Sequence, residues 1–457
     1  MSGASRTPSS RPGSWSSFES RHAPPRGQPV TAGPAASALA KACPQVSEAG
    51  PGDAVAGVMP RFVARPGDVA EAAAVMRAAA AGGLATVARG AGTRLGWGGP
   101  PARCDLVIDT TRLDRVLEHA AGDLVVRVQA GTGMEQLAAR LAEAGQRLAL
   151  DPPADGAGPG TVGGVLACGV AGPLRLRYGT PRDLAIGITV IRADGTVASS
   201  GGKVVKNVAG YDLGKLFAGS YGTLGLIVEA AFRLHPLPAA TAFVTGEAAD
   251  PDAAQAAIAA AAGSPLAPSA AEIDRPSRRD PARVGVLLEG DPDGVAERAE
   301  RMAGVLGGAA AVSPDPPPWW GGGPAAAPDG TVIRIAFWAG DLAAVLRAVD
   351  AAAAEAGLDP AVGGSAAAGV LHAAAGADAD PAGVARFVAG LRAALGRLPA
   401  ADGPPSRASA MVLHAPAKVR SGVDLWGPVP SLGLMRAVKD QFDPEHRMAP
   451  GRFAGGI

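Results

Sequence analysis

Residues 161–183 read TVGGVLACGVAGPLRLRYGTPRD, a stretch in which small residues crowd between a threonine and an Arg-Asp pair. Glycines at this density let a backbone pack closely against a flat ligand, because no Cβ atom stands in the way. A surface loop in a glycine-rich protein is the competing interpretation. Two further glycine loops, one before this stretch and one after it, favour the ligand.

The first of these loops is RGAGTR, Arg89 to Arg94, which follows a short strand predicted over residues 85–88. Its two glycines allow consecutive N–H groups to wrap an anion, and its arginines suit a diphosphate. The spacing is not that of the Rossmann fingerprint, because Leu95 stands where a third glycine belongs. Taken alone, the loop predicts either a phosphate site or an ordinary turn.

The third signal is KNVAGYDL, residues 206–213, followed by GSYGTLG at residues 219–225. Lysine, asparagine, tyrosine and aspartate in one short loop are costly to bury without partners. This concentration of polar groups therefore indicates a binding site.

Hydrophobic periodicity predicts four regions, in an α+β fold class. We expect residues 1–54, rich in Ser, Pro, Gly and Arg, to be a disordered tail. Residues 55–238 contain strands at 61–64, 85–88, 106–108, 124–129, 186–191 and 224–229, with helices after Val69 and Met134. Residues 239–430 form a second α+β lobe with helices near 342–356 and 384–395 and strands at 284–288 and 332–337. Residues 431–457 form a C-terminal segment that begins with a helix over 432–442.

Composition excludes several classes of protein. The chain has 457 residues, 42 basic and 42 acidic, so no strong charge favours a nucleic-acid partner. Three separated cysteines offer no disulfide framework, which favours a reducing compartment. No apolar run approaches the roughly 20 residues that span a bilayer. We expect a cytoplasmic protein, at most peripheral on the inner face of the membrane.

Other common chemistries lack their signatures. The six histidines do not form pairs within a helical turn, so the sequence predicts no metal site. Ala218 stands where a nucleophile elbow needs its first glycine. Val204 follows Gly202-Lys203, which rules out a Walker A loop.

Together, in this order, the three motifs resemble the two-subdomain FAD-binding domain (PCMH type) of the vanillyl-alcohol oxidase family. Residues 151–153, 168–173 and 206–213 look most like the E subunits of bacterial glycolate oxidases. The resemblance is strongest over residues 61–237 and returns at residues 442–444 and 450–452. It implies a cap formed by the second lobe over the reactive face of FAD.

The resemblance also implies which residues hold the cofactor. The first loop would hold the diphosphate, the second stretch would lie beside it or border the ring systems, and Ile227 would offer backbone bonds to the adenine. The full set is Arg89, Gly90, Ala91, Gly92, Thr93, Arg94, Pro153, Thr161, Gly163, Gly164, Gly169, Gly172, Arg182, Asp183 and Ile227. No histidine lies in the first loop, so non-covalent FAD is expected.

The resemblance further implies a glycolate oxidase complex that oxidises glycolate to glyoxylate, with a catalytic FAD subunit and an iron–sulfur subunit as partners. A free-standing D-2-hydroxy-acid dehydrogenase of the D-lactate type and a flavin-free scaffold subunit are the alternatives. Two departures from the pattern bear on this choice. The cap histidines His372 and His414 are isolated in the sequence, and Ala449 replaces the usual asparagine of the closing motif. With no catalytic residue identified, we expect the chain alone to oxidise hydroxy acids poorly.

Overall fold

The computed structural model describes residues 32–153, 158, 160–202, 211–307, 309–323, 330–398 and 408–457. Helices and strands are mixed in two lobes, which confirms the predicted α+β class. The elements below are numbered in chain order.

The first subdomain is a small sheet packed against two helices. Its elements are α1 (Ala32–Ala42), β1 (Val46–Glu48), β2 (Phe62–Ala64), α2 (Val69–Ala81), β3 (Thr86–Arg89) and β4 (Leu106–Asp109). The strand order is β1-β2-β4-β3, with β2 and β3 parallel to β4. Asp68 caps α2 by accepting a hydrogen bond from the Glu71 N–H. The helix then buries Val75 and Met76 against the sheet.

Order begins earlier than the sequence analysis predicted. Helix α1 and strand β1 lie within the segment expected to be a disordered tail. Leu39 and Cys43 of this region are completely buried against α2, and β1 pairs with β2. The apolar side chains of α1 are few, but they fall on one face and complete the core.

The second subdomain is an antiparallel sheet in the order β5-β6-β10-β8-β9. It contains β5 (Val116–Ala120), β6 (Val125–Gln129), α3 (Met134–Ala142), β7 (Gln146–Arg147), α4 (Val162–Cys168), α5 (Arg175–Tyr178), α6 (Pro181–Leu184), β8 (Ala185–Ile191), β9 (Val197–Gly201), α7 (Gly214–Phe217), β10 (Leu226–Arg233) and β11 (His235–Pro236). The short helices α4 and α5 lie in the glycine-rich stretch of residues 161–183. Val165 and Leu166 of α4 pack into the core beneath the sheet.

The second lobe is an antiparallel sheet covered on one face by helices. Its elements are β12 (Ala240–Ala248), α8 (Pro251–Ala262), β13 (Ala270–Arg275), β14 (Ala282–Gly290), α9 (Pro292–Leu306), β15 (Ala311–Ser313), β16 (Thr331–Ala336), α10 (Leu342–Ala356), β17 (Ala361–Gly364), β18 (Val370–Ala375), α11 (Pro381–Leu395), β19 (Ser409–His414) and α12 (Ala417–Arg420). In the described residues the strand order is β15-β12-β14-β13-β17-β18-β16-β19. The helices bury Val349 and Phe387 against one face, whereas Phe243 and Leu287 join the core of the first lobe. The sheet is therefore a cap over the first lobe.

The chain ends on the first lobe. Helix α13 (Leu432–Phe442) matches the predicted helix, and the residues after it return to the first sheet. The Ala449 N–H donates to the Thr86 carbonyl, and the Thr86 N–H donates to the Arg447 carbonyl. Lys439, which has no exposed surface, donates to Asp443 and to the carbonyls of Thr223 and Met448. These bonds hold the last residues beside the loop that follows β3.

Candidate functional site

A cleft with a volume of about 90 Å³ opens where the loop after β3 meets α4 and β10. Three separate motifs of the sequence analysis contribute to its walls. The lining residues are Val87, Ala88, Arg89, Gly90, Ala91, Gly92, Thr93, Arg94, Leu95, Thr110, Ala130, Thr161, Gly163, Gly164, Ala167, Cys168, Tyr221, Gly222, Gly225, Ile227 and Arg452.

Two glycines are required by the close approach of backbones in this cleft. A Cβ atom on Gly90 would lie 2.1 Å from Oγ1 of Thr161. A Cβ atom on Gly163 would lie 2.8 Å from the Cβ of Ala130. A side chain at Gly90 would push the first loop away from the start of α4, and one at Gly163 would push α4 away from the residue after β6. Gly90 therefore keeps the two glycine motifs in contact, and Gly163 keeps α4 close to the end of β6.

Arg89 lines the cleft, but its guanidinium group is already paired. Nη1 donates to Asp53 at 2.8 Å and Nη2 donates to Asp109 at 2.9 Å. The hydrogen bond from the Gly50 N–H and the bond from Arg89 both lower the pKa of Asp53. The charge of Arg89 is therefore compensated by two carboxylates, which leaves its loop backbone as the group able to meet a diphosphate.

Arg94 connects the first loop to the residues before α4. Its Nη1 donates to Thr93 Oγ1 at 3.0 Å and its Nη2 donates to the Pro153 carbonyl at 2.9 Å. The guanidinium group also lies over the Trp97 ring, 5.6 Å from its centre. Pro153 does not line the cleft itself, but its carbonyl accepts a hydrogen bond from Arg94, which does.

Arg452 is a cleft residue that the predicted site did not include. Its Nη2 donates to the carbonyls of Leu95 and Trp97, at 3.0 and 2.8 Å. Its Nη1 is buried and has no hydrogen-bond partner in the described residues. Burial lowers the pKa of this guanidinium group. The resemblance of residues 450–452 to the family's closing motif was the signal that could have identified it.

The remaining predicted residues divide into three groups. Ala91, Gly92, Gly164 and Ile227 line the cleft together with the glycines above. Gly169 ends α4 with a positive φ, and a Cβ on Gly172 would collide with the Asp151 carbonyl. These two glycines are close in sequence to the residues that line the cleft but do not line it themselves. The last two predicted residues lie away from the cleft: Arg182 is exposed, and Asp183 caps α6 by accepting hydrogen bonds from Thr180.

The third motif is only partly described. Residues 203–210, and Lys206 with them, lie outside the described residues. Tyr211 is 91% exposed, so its hydroxyl does not reach the cleft. Tyr221, by contrast, lines it, with burial raising the pKa of its phenol. Tyr221 has a φ of 55° and packs edge-on against Trp426.

The cap sheet places further charged groups beside Tyr221. Arg334 on β16 pairs in register with His372 on β18, so the two side chains lie on the same face of the sheet. Arg334 lies close enough to the Tyr221 phenol for the two groups to interact electrostatically. Burial and the two cations Arg334 and Arg175 lower the pKa of His372 to about 3, which keeps its imidazole neutral. The pKa of Arg175 falls to about 10, through burial and through Arg334.

In the described ranges, no cluster of three or more His, Cys, Asp or Glu side chains could bind a metal ion. No helix in the same ranges is long and apolar enough to cross a bilayer.

Comparison with known proteins agrees with this geometry. Residues 60–201 match the family described as an FAD binding domain. An uncharacterized FAD-linked oxidoreductase of Mycobacterium tuberculosis is 32% identical over 242 residues, which are 53% of this chain and 52% of that protein. The glycolate oxidase subunit GlcE of Escherichia coli is 40% identical over 126 residues, 28% of this chain and 36% of that protein. A D-lactate dehydrogenase of Archaeoglobus fulgidus is 35% identical over 175 residues, 38% of each chain.

The chain therefore spans about half the length of the first of these relatives. Among solved structures, an alkyldihydroxyacetonephosphate synthase superposes with a TM-score of 0.64 at 17% identity, covering 86% of this chain and 77% of that one. This likeness shows the fold. The matched domain, residues 60–201, resembles FAD-binding domains of the PCMH type. The chain also resembles the subunits of glycolate oxidase.

The residues of the cleft fit FAD. The unpartnered Nη1 of Arg452 is a buried donor that an anionic or carbonyl oxygen would satisfy. The glycines of the first loop and of α4 leave room for a ligand where side chains would otherwise stand. Arg94 adds a cation on the same wall. Bound there, FAD would supply a two-electron acceptor.

Proposed function

We propose that this chain is an FAD-dependent oxidoreductase of 2-hydroxy acids, acting as the FAD-binding subunit of a glycolate oxidase complex. In this proposal it oxidises glycolate to glyoxylate and passes the electrons to an iron–sulfur subunit. FAD is held without a covalent link, in the cleft between the first loop, α4 and Arg452.

The observation that carries the proposal is the cation Arg334 on strand β16 of the cap. We call the sheet face that carries Arg334 and its neighbour His372 the cationic face of the cap. Arg334 is largely withdrawn from solvent and has no carboxylate partner in the described residues. A buried cation without a counter-charge is costly. A substrate carboxylate would supply that counter-charge, beside the Tyr221 ring that lines the FAD cleft. This arrangement favours small anionic substrates over neutral alcohols.

His372 is the candidate acceptor for the proton of the substrate hydroxyl. It is neutral, and the register of β16 and β18 holds it next to Arg334. A bound carboxylate would offset the repulsion from Arg334 and Arg175, which would raise the pKa of His372 and strengthen it as a base. Arg334 would orient the acid, and His372 would take the proton as the hydride leaves the neighbouring carbon.

These two groups change one expectation from the sequence. The isolated histidines suggested that the chain lacks both a base and a carboxylate-binding cation, so the first electron transfer was assigned to a partner flavin subunit. Arg334 and His372 are candidates for both roles. We therefore assign the oxidation to this chain's own FAD and keep the second flavin subunit and the iron–sulfur subunit as proposed partners.

A free-standing dehydrogenase of the D-lactate type is the second candidate. The same cationic face favours it, because D-lactate presents the same carboxylate and hydroxyl groups as glycolate. The flavin-free scaffold is disfavoured by the open glycine cradle and the unpartnered Arg452 donor. Copurification with an iron–sulfur protein would favour the complex, whereas full turnover by the chain alone would favour the dehydrogenase.

Binding of oxalate, an unreactive analogue with the same carboxylate, tests the cationic face. We expect oxalate to perturb the visible absorbance of the bound FAD and to saturate. Arg334→Met should retain FAD and weaken oxalate at least about tenfold, the loss expected for one buried charge-assisted contact. Arg347→Met removes an exposed cap arginine and is the matched control. Unchanged oxalate affinity in Arg334→Met would overturn the proposed carboxylate site.

A further inference from the structure

Two carboxyl groups, one from each lobe, meet the cationic face but take no part in the mechanism above. Asp151 lies in the first lobe before α4, and Glu272 lies on β13 of the cap. Asp151 Oδ2 accepts a hydrogen bond from the Leu174 N–H at 3.0 Å. Asp151 Oδ1 and Glu272 Oε1 are both buried and lack hydrogen-bond partners among the described residues.

Both groups titrate near neutral pH, so each exists in a protonated and an ionised form there. The pKa of Glu272 is raised to about 8, chiefly by burial and also by the nearby Asp151, against the opposing effects of the Ser365 hydroxyl and Arg175. Burial raises the pKa of Asp151 to about 7, against hydrogen bonds from backbone N–H groups and the charge of Arg175. Each carboxyl can therefore gain and lose a proton in the physiological range.

The two carboxyls connect the cationic face with a second space. Arg175 interacts with Asp151 and Glu272 as well as with Arg334 and His372. Asp151 also lines a groove between the lobes with a volume of about 470 Å³. Phe243 and Trp320 of the cap form part of the same groove. Both carboxyls therefore interact with Arg175, and Asp151 also borders the groove.

We propose that Glu272 and Asp151 carry the hydroxyl proton of the substrate from His372 to the groove between the lobes. This inference rests on the proposed function. Oxidation of the alcohol breaks one C–H and one O–H bond and forms the carbonyl. The hydride leaves for the cofactor with both electrons, and the proton passes to His372, then to ionised Glu272, then to Asp151, and finally to water. Each side chain returns to its starting state after one turnover.

No hydrogen bond joins the two carboxyls directly. Transfer between them therefore needs a side-chain rotation or one bridging water, and buried polar sites of this kind commonly bind such waters. Amides in place of the carboxyls would keep the shape and most hydrogen bonds while removing the exchangeable proton. Glu272→Gln and Asp151→Asn are therefore the informative variants.

Infrared spectroscopy of the FAD-loaded protein tests the protonated carboxyls without turnover. We expect carbonyl bands of protonated carboxyl groups that disappear as the pH rises from about 6 to about 9. Each amide variant should remove one component, and the exposed Glu300→Gln should remove none. Bands absent from the wild type, or unchanged in both amide variants, would overturn the relay.

Anaerobic stopped-flow reduction with glycolate tests proton transport itself. We expect both amide variants to slow flavin reduction at least about tenfold, to alter its pH profile, and to bind oxalate as the wild type does. Wild-type protein that no 2-hydroxy acid reduces would overturn the proposed function, and the relay with it. Normal wild-type reduction with unchanged rates and pH profiles in both variants would overturn the relay alone.

Discussion

Arg147 of the FAD-binding lobe and Glu289 of the cap form a two-pronged ion pair across the lobe interface. Arg147 Nη1 and Nη2 donate to the two carboxylate oxygens of Glu289 at 2.7 and 2.8 Å. The Tyr178 hydroxyl donates to Glu289 as well, at 2.9 Å. The Glu289 side chain is only 3% exposed. This contact holds the cap above the cleft.

Removing Glu289 should therefore destabilise the protein markedly. Glu289→Ala leaves Arg147 buried without its counter-charge, and we expect a loss of about 3 kcal/mol in the free energy of unfolding. Glu143→Ala removes an exposed pair with Arg140 and should cost less than about 1 kcal/mol. Urea denaturation measures both variants. Equal losses would show that the interlobe pair does not hold the cap.

The contact between Gly90 and Thr161 predicts a specific effect on FAD. Gly90→Ala places a methyl group against Thr161 Oγ1 and pushes the loop from α4. Overpacking of this kind costs about 1–3 kcal/mol, so FAD affinity should fall at least about tenfold. Gly122→Ala, whose new Cβ meets nothing within 4 Å, is the control. Fluorescence titration with FAD measures the affinity of both variants. Equal affinities would contradict the assignment of FAD to the cleft.

The helix before the predicted domain start should contribute to stability. Leu39 is fully buried, so Leu39→Ala should cost about 3 kcal/mol through lost burial and the cavity left behind. Lys41→Ala on the exposed side of α1 should change stability by less than about 0.5 kcal/mol. Thermal or urea unfolding compares them. A negligible effect of Leu39→Ala would mean that residues 32–54 form a dispensable tail after all.

Glu272 should make stability depend on pH. Its pKa is raised from 4.5 to about 8 in the folded protein. The folded state therefore binds the proton more tightly than the unfolded state, and this contribution is complete below about pH 4 and is lost as the pH rises through about 8. Stability of the wild type should thus decline over this range more steeply than that of Glu272→Gln. Parallel pH profiles for the two proteins would place Glu272 in a solvated environment.

Local patterns predicted the elements that carry strong periodicity and clear ends. Val69, Ala73 and Met76 marked one face of α2, and Gly82 marked its end. The alanine-rich α8 was not predicted, because almost all of its apolar positions are alanine and give little periodic contrast. The sequence Asp250-Pro251, an N-cap followed by a helix-favouring proline, was the available signal.

The residues of the candidate site also differ in whether the sequence could identify them. The glycine loops of the cleft are contiguous motifs, so their residues could be identified from the sequence. Arg334 and His372 lie 38 residues apart on strands that meet only through their pairing register. Arg175 and Glu272 come from different lobes. Such contacts follow from long-range strand pairing and lobe packing, which local periodicity does not encode. Arg89 shows the converse, since its charge suggested a diphosphate partner and the fold pairs it with Asp53 and Asp109.

The most direct test of the account is anaerobic mixing of the isolated, FAD-loaded chain with glycolate and with D-lactate. We expect at least one of these acids to bleach the flavin absorbance in the wild type. Arg334→Met should keep its FAD and bleach at least about tenfold more slowly at subsaturating acid, because the carboxylate loses its cation. Arg347→Met should behave as the wild type. A fully loaded wild-type chain whose absorbance stays unchanged with either acid would contradict the claim that this chain's own FAD faces a 2-hydroxy-acid site.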